Sequence, residues 1–209
     1  MRKKISKLLL TKSNTDKNKK TTENKFELKT QKPSIDTNIY LFGEIDQKAS
    51  EKVISELNEI MEMLDYHNIE DSNIYVHVNS EGGDVSDMFA ITDMFNVAKK
   101  RGFIVNTIGV GKIMSAALII LASGTKGNRF VGKNSRLMFH EVSGDISGAH
   151  NFMKNEYKEI KWAESSYIKT IVSLSNKDKK FYDSLLKRKD NYYFTAKEAL
   201  DWGIVDKIL

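Results

Sequence analysis

The chain has 209 residues, with 33 basic and 28 acidic side chains, one proline and no cysteine. That length suits one domain with a continuous core, and an apolar content of 40% sets the chain apart from compositionally disordered ones. The lack of cysteine excludes a disulfide framework, a thiol nucleophile and a thiolate-held zinc or iron–sulfur centre, and the longest apolar run, 113–122, is broken by Ser115 and too short to span a bilayer.

An isoelectric point near 9.1 suggests nucleic acid, but the charge is unevenly divided. Residues 1–40 carry a net +7 and residues 41–209 a net −2. The basic excess therefore belongs to the leading segment, and neither nucleic acid nor a membrane is expected as a partner of the body. Leu8, Leu9 and Leu10 are too few for a signal-peptide core, so a soluble cytoplasmic protein is the expectation.

Residues 1–38, rich in Lys, Asn and Thr, read as a basic, disordered arm, and 39–209 as the folded domain. A strand is predicted at 39–43. A surface helix follows, with Val53, Ile54, Leu57, Ile60, Met61 and Leu64 at helical spacing. A second strand, 74–78, runs into Asn79-Ser80-Glu81-Gly82-Gly83, and another helix carries Met88, Phe89, Ile91, Met94, Phe95 and Ala98. A third strand is predicted at 103–108. The almost wholly apolar stretch 111–124 reads as a buried helix. Short strands at 129–131 and 137–140 precede a long polar helix over 151–173 and a further helix over 177–188. The predicted order closes with a strand at 192–194, a short helix from Thr195 to Gly203 and a strand at 204–208. Strands alternating with helices predict an α/β fold of repeated ββα or βαβ units.

Three local features are candidates for chemistry. Paired glycines at 82 and 83, between a strand and a helix, let the backbone approach another group and offer N–H donors to a developing negative charge. They also suit a plain turn, and no Gly-Lys-Ser/Thr follows to make a phosphate loop. Ser115 opens the apolar segment after Gly109 and Gly111. It fits either an exposed nucleophile or a helix cap. His140, at a predicted strand end, fits either a general base or an ordinary rim histidine. No two of the four histidines fall at metal-ligand spacing on one face, so no metal is expected.

Taken together and in this order, these features resemble the ClpP-type serine peptidases, the proteolytic subunits of Clp proteases, from Ile39 to Leu209. Asn79-Ser80-Glu81-Gly82-Gly83 is similar to the family's Asn-Ser-Pro-Gly-Gly, with Glu81 in place of proline. Gly111-Lys112-Ile113-Met114-Ser115-Ala116-Ala117 resembles its nucleophile turn, usually Gly-Gln-Ala-Ala-Ser-Met-Gly. Residues 122–130 and 133–140 match the approach to its histidine, and 195–206 its last helix and closing strand.

The resemblance implies a ClpP/crotonase-like fold with a protruding handle helix. It implies Ser115 as nucleophile, His140 as general base, and the N–H groups of Gly83 and Ala116 as the oxyanion hole, with no cofactor. The family's aspartate falls on Asn191, with Asp190 as the alternative one residue earlier. It further implies stacked heptameric rings, polypeptide substrates and a separate Clp-type unfolding ATPase, because this chain has no Walker loop. In the family the N-terminal residues line the axial pore. Met153, Tyr157, Ile160, Ala163, Glu164, Tyr167 and Ile171 form a mixed stripe expected to make oligomer contacts. Among the departures, Lys112 replaces glutamine, Ala116 replaces methionine, Ala117 replaces glycine, and Lys189 stands where an acidic residue often pairs between rings. Rival readings are a phage capsid maturation protease of the same fold, a crotonase-type acyl-CoA enzyme and a catalytically dead ring subunit.

Overall fold

The computed structural model describes residues 34–187 and 190–209. Of the basic arm expected over 1–38, residues 1–33 lie outside this range, as does Lys189.

Alternating strand and helix build a mixed seven-stranded sheet, parallel except for one pair. β1 (Asn38–Ile45), α1 (Gln47–Tyr66), β2 (Asn73–Gly83), α2 (Val85–Lys100) and β3 (Ile104–Met114) form two successive βαβ units. Ser115 then leads into α3 (Ala116–Ala122), followed by β4 (Arg129–Val131) and β5 (Arg136–Phe139). α4 (His150–Leu174), α5 (Lys179–Leu186), β6 (Tyr192–Thr195), α6 (Ala196–Asp201) and β7 (Lys207–Ile208) complete the chain. Four helices start at side-chain caps. Asp46, Asp84, Asp178 and Thr195 each accept a backbone N–H of the first turn, and Thr195 forms a full capping box with Glu198.

β3 is the pivot of the sheet. Its first part pairs with β4 (Thr107 to Gly109 against Arg129 to Val131), and its last part pairs with β5 (Lys112 to Met114 against Arg136 to Met138). The other edge of β5 pairs antiparallel with β6. The core fills the space between sheet and helices: Val53, Leu57 and Met61 of α1, Met88, Ile91 and Phe95 of α2, and every residue of α3 are buried.

Two sequence expectations are corrected. The buried helix expected over 111–124 is a strand as far as Met114 and a helix only over Ala116–Ala122. Ile113 and Met114 end the strand and run almost directly into the apolar helix, and so short an apolar run has no period that separates strand from helix. The closing strand expected at 204–208 is reduced to Lys207–Ile208, although Ile204 and Val205 are buried.

Of the stripe expected to make oligomer contacts, Tyr167 and Ile171 are buried in this chain's own core, whereas Met153 and Tyr157 are exposed. α4 spans roughly 37 Å at 1.5 Å per residue; its first half also exposes Phe152 and Trp162. Among the described residues, no helix is long and apolar enough to cross a membrane.

Candidate active site

The site forms where neighbouring parallel strands end. Parallel strands run in one direction, so their carboxyl ends share an edge of the sheet and the residues that follow them converge. Met114 and Met138 are register partners on β3 and β5. The residue after β3, Ser115, donates its N–H to Met138 O at 2.9 Å. His140 follows β5 by one residue. This register places His140 Nε2 2.7 Å from Ser115 Oγ, so the two residues proposed for chemistry meet in space.

Ser115 occupies the position before α3 but does not cap it: its side chain makes no cap hydrogen bond. Its backbone sits at φ 53°, ψ −123°, a conformation that costs a non-glycine residue about 1–3 kcal/mol. The turn aims Oγ away from the helix N-terminus and at the imidazole. The choice between cap and outward-facing hydroxyl, open in the sequence, is decided by this geometry.

The glycine pair closes on the same point. At Gly82 (φ +102°) an added Cβ would lie 2.7 Å from Ser115 Cβ and 3.2 Å from Ala116 N. At Gly83 (φ +151°) it would lie 2.1 Å from the Ile45 carbonyl oxygen. Side chains are thus excluded at both positions. Asp84 fixes the exit from this turn by accepting from Ser86 N and Asp87 N at 2.7 and 3.0 Å. Ala116 is the first residue of α3, so its N–H has no acceptor within the helix. Nearby, Lys112 N donates to Asn79 Oδ1 at 3.1 Å, and Lys112 Nζ meets Glu81 at 2.7 Å. The two departures from the family pattern therefore pair with each other. The carboxyl of Glu81 is held below its ordinary value chiefly by this lysine.

Gly83, Ser115, His140, Glu141, Val142 and Tyr167 are among the residues lining a cavity of about 210 Å³. Burial pushes the His140 imidazole below its ordinary value, against an opposing pull from the Glu141 carboxylate. The ring is therefore neutral near pH 7 and able to accept a proton.

Beyond the imidazole, Phe139 pairs with Tyr192 across the antiparallel β5–β6 ladder. The ladder ends at this pair; continued by one step, its register would set Asn191 opposite His140. Asp190 and Asn191 line a second cavity, of about 120 Å³, with His140, Glu141, Ser143 and Leu186. Among the described residues, neither Asp190 nor Asn191 is hydrogen-bonded to His140.

Two contributors carry no local signal of their role. Tyr167 has the spacing of an amphipathic-helix stripe expected to make oligomer contacts, yet its hydroxyl donates to Ser115 O at 3.3 Å. Arg129 is 3% exposed and forms a bidentate pair with Asp206, Nε to Oδ2 at 2.8 Å and Nη2 to Oδ1 at 2.7 Å. It also donates to the carbonyls of Leu174 at 2.7 Å and Gly203 at 2.8 Å. No local pattern joins residues so far apart in sequence. This guanidinium ties the ends of α4 and α6 to the sheet.

The Clp protease family model matches residues 22–209. The chain is also similar to the ATP-dependent Clp protease proteolytic subunit 2 of Treponema denticola, with 33% identity over 171 residues, covering 81% of this chain and 80% of that protein. The converging strand ends, the glycine pair and the serine–histidine contact all fall inside the matched region, and the chain belongs to the Clp protease family.

Proposed function

We propose that this ClpP-type peptidase is a serine endopeptidase, with Ser115 as nucleophile and His140 as general base. The observation that carries this reading is the 2.7 Å contact between Ser115 Oγ and His140 Nε2, made by a serine in a strained turn that leaves its helix uncapped. In this mechanism neutral His140 takes the Ser115 proton at Nε2 as Oγ attacks the scissile carbonyl. The oxyanion of the tetrahedral intermediate accepts from the N–H groups of Gly83 and Ala116. The imidazolium then protonates the leaving amine, and the C–N bond breaks to give an acyl-enzyme. Water, deprotonated by the same histidine, releases the acid and restores Ser115. Each oxyanion donor is worth ~10²–10³-fold in turnover.

Asn191 is assigned to orient the ring, its amide oxygen accepting from Nδ1–H, as the asparagine does in Cys-His-Asn sites. The β5–β6 register supports it over Asp190. An amide sets the tautomer without adding charge.

The same reading makes the protein a subunit of stacked heptameric rings in the cytoplasm, fed with unfolded polypeptides by a separate ATPase. The relative is called an ATP-dependent proteolytic subunit, which supports this assembly. The exposed aromatic residues on the first half of α4 support ring-to-ring contact there.

A fluorophosphonate probe tests the chemistry. Labelling of the wild type that is lost in Ser115→Ala, together with loss of fluorogenic-peptide hydrolysis, is expected. An unlabelled wild type overturns the protease reading and leaves a crotonase-type enzyme or an inactive ring subunit. Sedimentation tests the assembly, and a monomer at micromolar concentration overturns the ring.

A further inference from the structure

Tyr167 takes no part in the steps above, yet it touches both arms of the site. It lies on α4 and is 2% exposed. Its hydroxyl donates to Ser115 O at 3.3 Å. Its ring stacks on Phe139, the residue before His140, with centroids 5.5 Å apart and planes at 19°. It also forms part of the wall of the 210 Å³ cavity that holds Ser115 and His140.

The carbonyl of Ser115 and the N–H of Ala116 belong to one planar peptide unit, in which C=O and N–H point in opposite directions. A donor that holds the carbonyl therefore aims the N–H. Ser115 O already accepts from Leu118 N at 3.0 Å within the first turn of α3. A carbonyl oxygen has two lone pairs, and Tyr167 takes the second. We infer that Tyr167 is a positioning residue: through Ser115 C=O it orients the Ala116 N–H toward the developing oxyanion, while its ring braces the backbone that carries His140. The inference rests on the roles proposed above for Ser115, His140 and Ala116. Burial drives the phenol well above its ordinary value, so it remains a protonated donor throughout the working pH range.

Tyr167→Phe removes the hydroxyl and keeps the ring. The matched control is Tyr182→Phe, another buried tyrosine against Phe139 (centroids 5.2 Å), whose hydroxyl bonds Ser175 Oγ at 2.9 Å, away from the nucleophile. In Tyr167→Phe, kcat and the rate of fluorophosphonate labelling are expected to fall together by about 3- to 10-fold, the worth of one hydrogen bond. KM should stay within about twofold, because the donor is used only in the transition state. The pH profile should keep its shape, because no proton is transferred through the phenol. Tyr182→Phe should retain wild-type kcat and labelling. Unchanged kcat and labelling in Tyr167→Phe, a loss confined to KM, or an equal fall in both variants overturns the inference while leaving the protease reading intact. A wild type that takes no label at Ser115 overturns the protease reading and the inference with it.

Discussion

Phe139 and Tyr192 are register partners on antiparallel strands, and this one pair brings the segment before β6 alongside the imidazole of His140. Asn191, the residue before Tyr192, lines a small cavity with His140, and the role proposed for it is to accept a hydrogen bond from the ring Nδ1–H through its amide oxygen. Asn191→Ala is expected to lower kcat on the order of 10²–10⁴-fold, the scale on which a serine peptidase loses rate when its histidine tautomer is no longer held. Asn191→Asp should raise kcat above wild type, because a carboxylate also stabilises the imidazolium. Asp190→Ala should leave turnover nearly unchanged. A loss confined to Asp190→Ala in steady-state peptide hydrolysis transfers the role to that residue.

Burial holds the His140 imidazole below its ordinary 6.5. The base is competent only when neutral, so kcat/KM should rise with pH along an acid limb centred below 6.5 and flatten above it. The Glu141 carboxylate opposes the shift. Glu141→Gln removes that opposition, so the limb should move to still lower pH, with activity retained further into acid. A limb that moves upward in Glu141→Gln contradicts this electrostatic account.

Gly82 and Gly83 exclude side chains for different reasons. An alanine at 82 meets Ser115 Cβ, the Met114 carbonyl and the Ala116 amide, all in the nucleophile turn, so Gly82→Ala should displace Ser115 and cut labelling by at least 10-fold, with a smaller fall in melting temperature than at 83. An alanine at 83 drives into backbone, the Ile45 carbonyl. Gly83→Ala should therefore destabilise the fold itself, by about 1–3 kcal/mol or more. Thermal denaturation beside probe labelling separates the two.

Arg129 is buried and Asp206 half-buried, and removing the carboxylate leaves the buried guanidinium without its charged partner. Asp206→Asn is expected to cost about 3–5 kcal/mol, on the order of 10 °C in melting temperature, without altering the pH profile of peptide hydrolysis. Burial raises the Asp206 carboxyl, but the bonds and charge of Arg129 outweigh it and leave the group below its ordinary 3.8. The contribution is thus fully present above that value and is lost as pH falls below it. Acid unfolding of the wild type should show this loss, and Asp206→Asn should not.

The order of strands and helices, the surface helix of α1, the glycine pair and the two side chains proposed for chemistry were legible along the chain, because each is carried by local spacing or by a short motif. Even there, an apolar run did not distinguish β3 from α3, since Ile113 and Met114 run almost directly into the apolar helix and so short a run has no telling period. What only the tertiary structure decided is pairing. Ser115 and His140 meet because β3 and β5 are parallel neighbours in one register. Tyr167 faces Ser115 rather than solvent because the second half of α4 packs into the core. Arg129 reaches Asp206 across 77 residues of sequence. Each of these depends on contacts between residues distant in sequence, and the residues around each one carry no local mark of its partner.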